Sequence, residues 1–191
     1  WCAGGVDNTC GHRFSKQYGE LPLGYDHKYV YSHFGYNLKA TEMQAAIGCA
    51  QLDKLDAIVE ARRANFRTLS EMLAGTPGLI LPEAAPDSKP SWIGFPVTVK
   101  EDAGYTRNEL AQHLERCRIQ TRNLFAGNLV KHPAFDEMRA EGAGYRIVGE
   151  LRQTDYIMNN TLWIGVYPGM QSAMLRYMAD TIRAFAAERA K

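Results

Sequence analysis

The sequence predicts an α/β fold in which helices cover one face of a small sheet, and three observations support this prediction. Residues 92–99 (WIGFPVTV) and 161–166 (TLWIGV) are rich in aromatic and β-branched residues, which is typical of strands. Apolar residues recur at helical spacing before, between and after these two segments. The links between segments are short, and such alternation favours a sheet packed against helices.

A long helix is predicted over residues 41–74, ahead of the first strand. Thr41 and Gln44 have the spacing of a capping box, in which the two side chains satisfy amides of the first turn. The stretch 75–78 (GTPG) ends the helix. Residues 43–49 are small and apolar nearly all round, so we expect this part of the helix to be buried on several sides.

Similar signals predict the later elements. Thr106 and Glu109 form a second capping box, which begins a helix that reaches about Cys117. Trp163 is expected in the core, because it lies within an apolar strand. The other predicted elements are a short strand over 118–122, helices over 134–141 and 151–159, and a final helix capped by Ser172.

By composition the chain divides into three regions. Residues 1–38 are rich in cysteine, glycine and aromatic residues and are predicted to form ordered loops, with a short strand near residues 29–31. Residues 39–76 contain the long helix. Residues 77–191 are predicted to form the small α/β domain.

Composition and charge exclude several classes of function. The 191 residues are 46% hydrophobic and 23% charged, as in ordinary globular proteins. The net charge of +1 gives no basic field for nucleic acid, and no apolar run is long enough to predict a membrane span. Four cysteines are too few for a disulfide scaffold, which predicts a reducing, cytoplasmic compartment.

The first candidate for chemistry is the cysteine pair in WCAGGVDNTC, residues 1–10. Thiolates at Cys2 and Cys10 could bind a soft metal or an iron–sulfur cluster. Two ligands do not complete a tetrahedral site. The seven-residue spacing alone favours two unrelated loop cysteines, because it is not a recognised zinc spacing.

Two further stretches carry candidate binding residues. Asn37 precedes a helix N-terminus, where it could help to bind a phosphate or could simply stabilise the turn. His33, nearby, could be a ligand, a base or a packed polar group. The loop over 122–135 (RNLFAGNLVKHPAF) has the polar and cationic mixture that suits a phosphorylated or sugar ligand, although it could equally be a solvated loop anchored by its two phenylalanines. Its polar candidates are Arg122, Asn128, Lys131 and His132.

Several strings resemble a known family. GYNLKATEMQAAIGCAQLDKL resembles the helix-entry motif of the sugar aminotransferase (DegT/DnrJ/EryC1/StrS) family, whose members have the aspartate aminotransferase (type I) fold and use pyridoxal or pyridoxamine phosphate. WCAGGVDNTCGHRF, LPLGYDHKYVYSHFGYNL, LFAGN and WIGVYPG resemble the CDP-4-keto-6-deoxyglucose 3-dehydrase branch, which makes 3,6-dideoxyhexoses for lipopolysaccharide. The resemblance covers essentially the whole chain. It implies that residues 1–38 are the end of a large cofactor domain and that the chain is a C-terminal portion.

The resemblance also implies cofactors, partners and site residues. Cys2 and Cys10 would be ligands of a [2Fe–2S] cluster, which a flavin and iron–sulfur reductase would supply with electrons. Asn37 would contact the cofactor phosphate of the neighbouring subunit in a homodimer, and the catalytic base is expected upstream of Trp1. The substrate, a CDP-4-keto-6-deoxyhexose, would be contacted by His33, Arg122, Asn128 and His132.

Two alternatives remain open from the sequence. Aminotransferases of the family carry a HLQPAY-like string, whereas this chain has VKHPAF, with Val130 in place of the first His and His132 in place of Gln. This departure favours the dehydrase over a plain nucleotide-sugar aminotransferase, which is the first alternative. The second is a non-catalytic structural or dimerisation fragment. In either case we expect the 191-residue chain to be inactive alone.

Overall fold

The computed structural model describes residues 13–31, 33–36, 38 and 40–189. The chain forms two compact units, Trp1–Ile47 and Gly48–Lys191. Three predicted site residues, Cys2, Cys10 and Asn37, lie outside the described residues. Within the described part of the chain, none of the helices combines the length and the apolarity needed to cross a bilayer.

In the first unit, the described residues between 13 and 41 form neither an α-helix nor a strand. A 3-10 turn, His27–Tyr29, lies where the sequence predicted a strand near residues 29–31, so that prediction is wrong. The turn is stabilised by Asp26, whose carboxylate accepts from the amide of Lys28 at 3.1 Å and whose carbonyl accepts from Tyr29 at 3.0 Å. An aspartate that bonds to the backbone two residues on favours such a turn over a strand.

Two helices replace the continuous helix predicted over 41–74. Helix α1 is Glu42–Leu52 and helix α2 is Leu55–Leu73. The predicted capping box is confirmed, because the Thr41 amide donates to Gln44 Oε1 at 2.9 Å and the Gln44 amide donates to Thr41 Oγ1 at 3.3 Å. The break comes where the amide of Lys54 bonds back only three residues, to the carbonyl of Gln51, and the helix tightens into a turn.

Helix α1 is exposed along its whole length. None of its residues is buried, and Met43 and Ile47 are 77% and 65% exposed. The prediction that residues 43–49 are buried on several sides is therefore wrong for this chain. Apolar composition indicated burial, but the chain itself does not supply the covering surface.

A four-stranded sheet lies in the second unit. Its strands are β1 (Leu79–Ile80), β2 (Gly94–Val99), β3 (Thr121–Asn123) and β4 (Thr161–Gly165). Their order is β1-β2-β4-β3, and every neighbouring pair is antiparallel. Pro96 is tolerated in β2 because it lies beyond the two residues that pair with β1.

Four more helices complete the second unit. They are α3 (Arg107–Arg116), α4 (Asp136–Glu141), α5 (Arg152–Asn160) and α6 (Ser172–Arg189). The second capping box is confirmed: the Glu109 amide donates to Thr106 Oγ1 at 3.2 Å, and the Thr106 amide donates to Glu109 Oε2 at 2.7 Å. The predicted helices and main strands are thus present, with ends displaced by a few residues, and the predicted α/β class is confirmed.

The core lies between one face of the sheet and three helices. In β2 the alternate residues Phe95, Val97 and Val99 are at most 1% exposed, as expected when side chains alternate between faces. Leu162 and Ile164 take the same face of β4. The helical part of the core comes from α2, α3 and α6 through Leu69, Leu73, Leu110, Leu114, Leu175, Met178, Ile182 and Phe185.

Trp163 is not in this core. Because Leu162 and Ile164 face the core, the period of two places Trp163 on the opposite, outer face of the sheet, where it is half-buried. Gly94 makes room for the indole, since a Cβ there would lie 2.4 Å from Trp163 Cε3. The prediction of a core position for Trp163 is therefore wrong.

Candidate functional site

A cavity of about 700 Å³ lies at the edge of the sheet, where β3 and the residues before it meet β4 and α6. This edge cavity falls within the size range of small-molecule sites in proteins. Cationic, amide and aromatic side chains meet in it together with methionines. Its lining includes Arg118, Gln120, Arg122, Trp163, Tyr167 and Tyr177.

Arg122, a predicted substrate residue, lines the edge cavity. It pairs with Trp163 across β3 and β4, so both lie on the outer face of the sheet. One guanidinium nitrogen of Arg122 donates to the carbonyl of Thr121 at 3.0 Å. The indole of Trp163 donates to the carbonyl of Asn123 at 3.1 Å, so the ring is held in place without using the cavity's polar groups.

The loop that follows β3, residues 124–135, is fixed to α5; we call it the clamped loop. Asn128 is 3% exposed, and its amide donates to Asp155 Oδ1 at 2.7 Å. Lys131 Nζ lies 2.8 Å from Asp155 Oδ2. The hydrogen bonds from Lys131 and then Asn128 lower the pKa of Asp155. One carboxylate thus holds two residues of the loop.

The backbone of the clamped loop also packs closely on α5. Gly127 has φ +62°, and a Cβ there would lie 2.4 Å from Met158 Cγ, so the position needs glycine. Phe125 is 80% exposed, which shows that this phenylalanine does not anchor the loop to the core. The anchors are polar contacts and the close approach at Gly127.

His132 takes part in the same structure. Its Nε2 lies 2.6 Å from the carbonyl oxygen of Ala126, and since a carbonyl only accepts, Nε2 carries the proton in this bond. Arg139 closes the end of the loop by donating to the carbonyls of Val130 and His132 and by pairing with Asp136. Asn128 and His132 therefore have structural partners, and their contact with a sugar ligand stays a prediction.

The predicted site residues are only partly brought together. Arg122 lies in β3, and Asn128 and His132 lie in the loop that follows it in the same unit. His33 is exposed and lies in the other unit. Among the described residues, no group of three or more His, Cys, Asp or Glu side chains could hold a metal ion.

Sequence reasoning missed Asp155 and Arg118. Asp155 is one acidic residue in the first turn of α5, and nothing in its spacing links it to a loop 24 to 27 residues earlier. Arg118 was predicted as the first residue of a strand that directly follows a predicted helix, and the turn that the chain must make between the two could have singled it out.

Comparisons with known proteins agree on one family. Residues 13–183 match the DegT/DnrJ/EryC1/StrS aminotransferase family. Over 186 residues the chain is 53% identical to lipopolysaccharide biosynthesis protein RfbH of Salmonella typhimurium, covering 97% of this chain and 41% of that protein. Over 188 residues it is 50% identical to dTDP-4-dehydro-2,6-dideoxy-D-glucose 3-dehydratase of Saccharopolyspora spinosa, covering 98% and 40%.

A solved structure agrees with this. The crystal structure of S. venezuelae DesV in complex with a ketimine intermediate matches with a TM-score of 0.71 at 29% identity, over 86% of this chain and 41% of that one. The predicted aminotransferase-like fold is thereby confirmed. The chain spans about two fifths of the length of these relatives. It belongs to the DegT/DnrJ/EryC1/StrS aminotransferase family.

Proposed function

We propose that the chain is the C-terminal part of a pyridoxamine-phosphate-dependent enzyme that removes the 3-hydroxyl of a CDP-4-keto-6-deoxyhexose, in the biosynthesis of 3,6-dideoxysugars for lipopolysaccharide O-antigen. The observation that carries this proposal is the identity of 50% or more, over nearly the whole chain, to a sugar 3-dehydratase and to a lipopolysaccharide biosynthesis protein. The VKHPAF string supports the dehydrase over the aminotransferase. We place the enzyme in the cytoplasm.

The nucleotide, the cluster and the partners are the finer parts of the proposal. Pyridoxamine phosphate, when bound, would supply an amine for the 4-keto carbon and a ring that accepts electrons. Asn37 would contact its phosphate across a homodimer, and Cys2 and Cys10 would hold a [2Fe–2S] cluster fed by a flavin and iron–sulfur reductase. Among the described residues, no group of three or more His, Cys, Asp or Glu side chains offers another metal site.

The described residues contribute binding and orientation. Arg122 presents a guanidinium on the outer face of the sheet, where it can pair with a phosphate of the nucleotide sugar. The clamped loop is held by Asp155 and Gly127 against α5, so its backbone is ordered before a ligand arrives. His132 Nε2 is engaged with Ala126, which leaves Nδ1 as the ring atom that can contact substrate.

Product analysis tests the proposed reaction. The intact enzyme is incubated anaerobically with pyridoxamine phosphate, the reductase, a reduced nicotinamide as the source of two electrons, and CDP-4-keto-6-deoxyglucose, and the sugar is examined by mass spectrometry. We expect a product that has lost one oxygen. A product whose keto oxygen has been replaced by nitrogen when glutamate is present would instead identify an aminotransferase. The 191-residue chain alone is expected to give no turnover, and dehydration by it alone would contradict the idea of a C-terminal part.

A second experiment tests the cluster directly. Iron and sulfide are measured on the anaerobically reconstituted intact enzyme, and EPR spectra are recorded after reduction with dithionite. We expect a reduced [2Fe–2S] signal that is lost in Cys10→Ser and kept in Cys49→Ser, a control because Cys49 is an exposed cysteine on α1. Wild-type protein without iron would leave Cys2 and Cys10 as ordinary loop residues.

A further inference from the structure

We infer that Asp155 is a positioning residue of the proposed enzyme: its carboxylate sets where the clamped loop lies on α5, and so where the outward side chains of the loop meet the substrate. This inference rests on the proposed function, because it takes the clamped loop as part of the substrate site. It gives a role to a residue that no spacing in the sequence singles out.

Both carboxylate oxygens of Asp155 face the clamped loop. Oδ1 accepts from the side-chain amide of Asn128 at 2.7 Å, and Oδ2 lies 2.8 Å from Lys131 Nζ. Asn128 is 3% exposed, so its hydrogen bond is shielded from water, whereas the ion pair with Lys131 is partly exposed. A carboxylate whose two oxygens both bind one loop acts on that loop rather than on a substrate.

The clamped loop is also tied within itself by bonds that do not involve Asp155. His132 Nε2 donates to the carbonyl of Ala126 at 2.6 Å, which joins two residues six positions apart. The backbone amide of Lys131 donates to the carbonyl of Asn128 at 3.1 Å. Because these bonds do not need the carboxylate, the loop keeps its own shape when Asp155 is changed and moves as a unit. What changes is its attachment to α5.

That attachment is mostly polar and directional. Of the core residues that the structure describes, none comes from the clamped loop. A second contact with α5 is Met158, whose Sδ accepts from the backbone amide of Asn128 at 3.3 Å and whose side chain packs on Gly127. Hydrogen bonds to a charged group fix distance and direction, whereas apolar contact is non-directional and methionine adapts to its neighbours. Without the carboxylate, the loop can therefore shift over Met158.

The clamped loop exposes an aromatic side chain in a strained conformation. Phe125 has φ +49°, in the left-handed region that bulky residues rarely adopt, and it is 80% exposed. Its amide donates to the carbonyl of Asn123 at 2.7 Å, which closes a tight turn at the end of β3. A strained and exposed phenylalanine adds nothing to the core, so we assign its use to a ligand. Its ring and Nδ1 of His132 are the groups that the positioned loop presents to the substrate.

Kinetics of the intact enzyme with CDP-4-keto-6-deoxyglucose separate positioning from other roles. Asp155→Asn keeps the shape of the side chain and an oxygen for Asn128, but it loses the ion pair with Lys131. Asp155→Glu keeps the charge but places it one methylene further from α5, so the loop stays attached and is displaced. We expect both variants to raise the KM for the nucleotide sugar by about three- to tenfold, as for one lost hydrogen bond, and to change kcat less than about twofold.

Two further variants serve as tests of the contact. Lys131→Met removes the other member of the ion pair and should raise the KM as Asp155→Asn does, and the double variant should add little, because both changes break one contact. Glu150→Gln is the matched control. Glu150 pairs with Arg152 at the start of α5, both side chains are largely exposed, and the change should alter the KM less than about twofold.

The split between KM and kcat decides the result. A lower apparent kcat with an unchanged KM in the Asp155 variants would mean that the residue only keeps the enzyme folded, and this would overturn the inference. Wild-type KM values in both Asp155 variants, or an equal rise in Glu150→Gln, would overturn it as well.

Calorimetric binding of CDP-4-keto-6-deoxyglucose, measured without pyridoxamine phosphate, makes the test independent of turnover. The Kd should rise in the Asp155 variants by the same factor as the KM. A wild-type enzyme that does not bind the nucleotide sugar would contradict the inference. Failure of the proposed function alone is distinguishable, because the wild type then removes no oxygen from the sugar while its binding still depends on Asp155.

Discussion

The two ends of β3 differ in how their polar side chains are used. Beyond Asn123, the clamped loop has its polar groups paired with the protein: Asn128 and Lys131 with Asp155, and His132 with Ala126. Before Thr121, Arg118 is without a protein partner among the described residues and lines a cavity. Paired groups explain why a loop is ordered, whereas an unpaired cation in a cavity indicates a ligand. The sequence showed the same mixture of polar residues at both ends.

The largest effect should come from the core that supports both ends. Phe185 is 1% exposed and packs edge-on against Tyr105, with the two ring centroids 5.2 Å apart. Phe185→Ala should lower the free energy of unfolding by about 3–5 kcal/mol, because it leaves a cavity among close-packed side chains. Urea denaturation followed by circular dichroism measures this. Val148→Ala is the control, since Val148 is 75% exposed, and it should have almost no effect. Equal losses in the two variants would contradict the described core.

The next largest loss of stability is expected at Gly127, where the clamped loop packs on α5. Gly127→Ala should cost about 1–3 kcal/mol, because the new methyl group collides with Met158 in addition to the backbone strain. Gly149 also has positive φ, but a Cβ there meets nothing within 4 Å, so Gly149→Ala should show only the backbone part, about 1 kcal/mol. Thermal and urea unfolding measure the loss of stability in each variant. The difference between the two losses reports the contribution of the packing of the loop on α5. A difference near zero would mean that the loop is not held there.

Acid should weaken the attachment of the clamped loop to α5. The expected loss of stability is smaller than in the glycine variants, because Asp155 is partly exposed. Its folded-state pKa is lowered by Lys131 and then Asn128. The stabilisation is therefore present above the usual carboxyl pKa and is lost as pH falls through the lowered value. Comparison of Asp155→Asn with wild type in urea at pH 6 and pH 3 should show a stability gap that closes at the lower pH. Glu109 and Glu115, whose pKa values are also lowered, are present in both proteins, so they do not contribute to the gap.

The smallest expected effect is a stabilisation. Arg118 has the left-handed conformation, with φ +58°. Arg118→Gly should raise the free energy of unfolding by about 0.5–1 kcal/mol, because glycine adopts this conformation without strain. Gly142 ends α4 with φ +65°, and a Cβ there meets nothing within 4 Å. Gly142→Ala is the reciprocal control, and should lower stability by about 1 kcal/mol. A destabilised Arg118→Gly variant would show that this side chain supports the fold, and the contrast between the two ends of β3 would fail.

Local signals in the sequence predicted most of the helices and strands, but few of the contacts that their side chains make. Capping boxes at Thr41 and Thr106 depend on residues three apart, so spacing alone identified them. The two-residue strand β1 carries too little pattern to be found, and the break at Lys54 interrupts an otherwise helical sequence. Trp163 was misplaced because composition indicates burial but not which face of a sheet is covered.

The candidate site was harder to predict than the fold. Arg122 was identified and does line a cavity, but the partners that decide the roles of Asn128 and Lys131 come from α5, about 25 residues along the chain. Such a pairing is a property of the tertiary structure and leaves no mark in local spacing. The cavity likewise combines residues before β3 with residues of α6, which are separated by some 50 positions.

Helix α5 passes into strand β4 without a connecting residue, since one ends at Asn160 and the other begins at Thr161. Asp155, which holds the clamped loop, and Trp163, which lines the edge cavity, therefore stand on one continuous stiff segment. We expect a displacement of Asp155 to shift Trp163 as well, because no loop lies between them to absorb it. A glycine pair inserted between Asn160 and Thr161 should remove this coupling, because glycine adopts many backbone conformations.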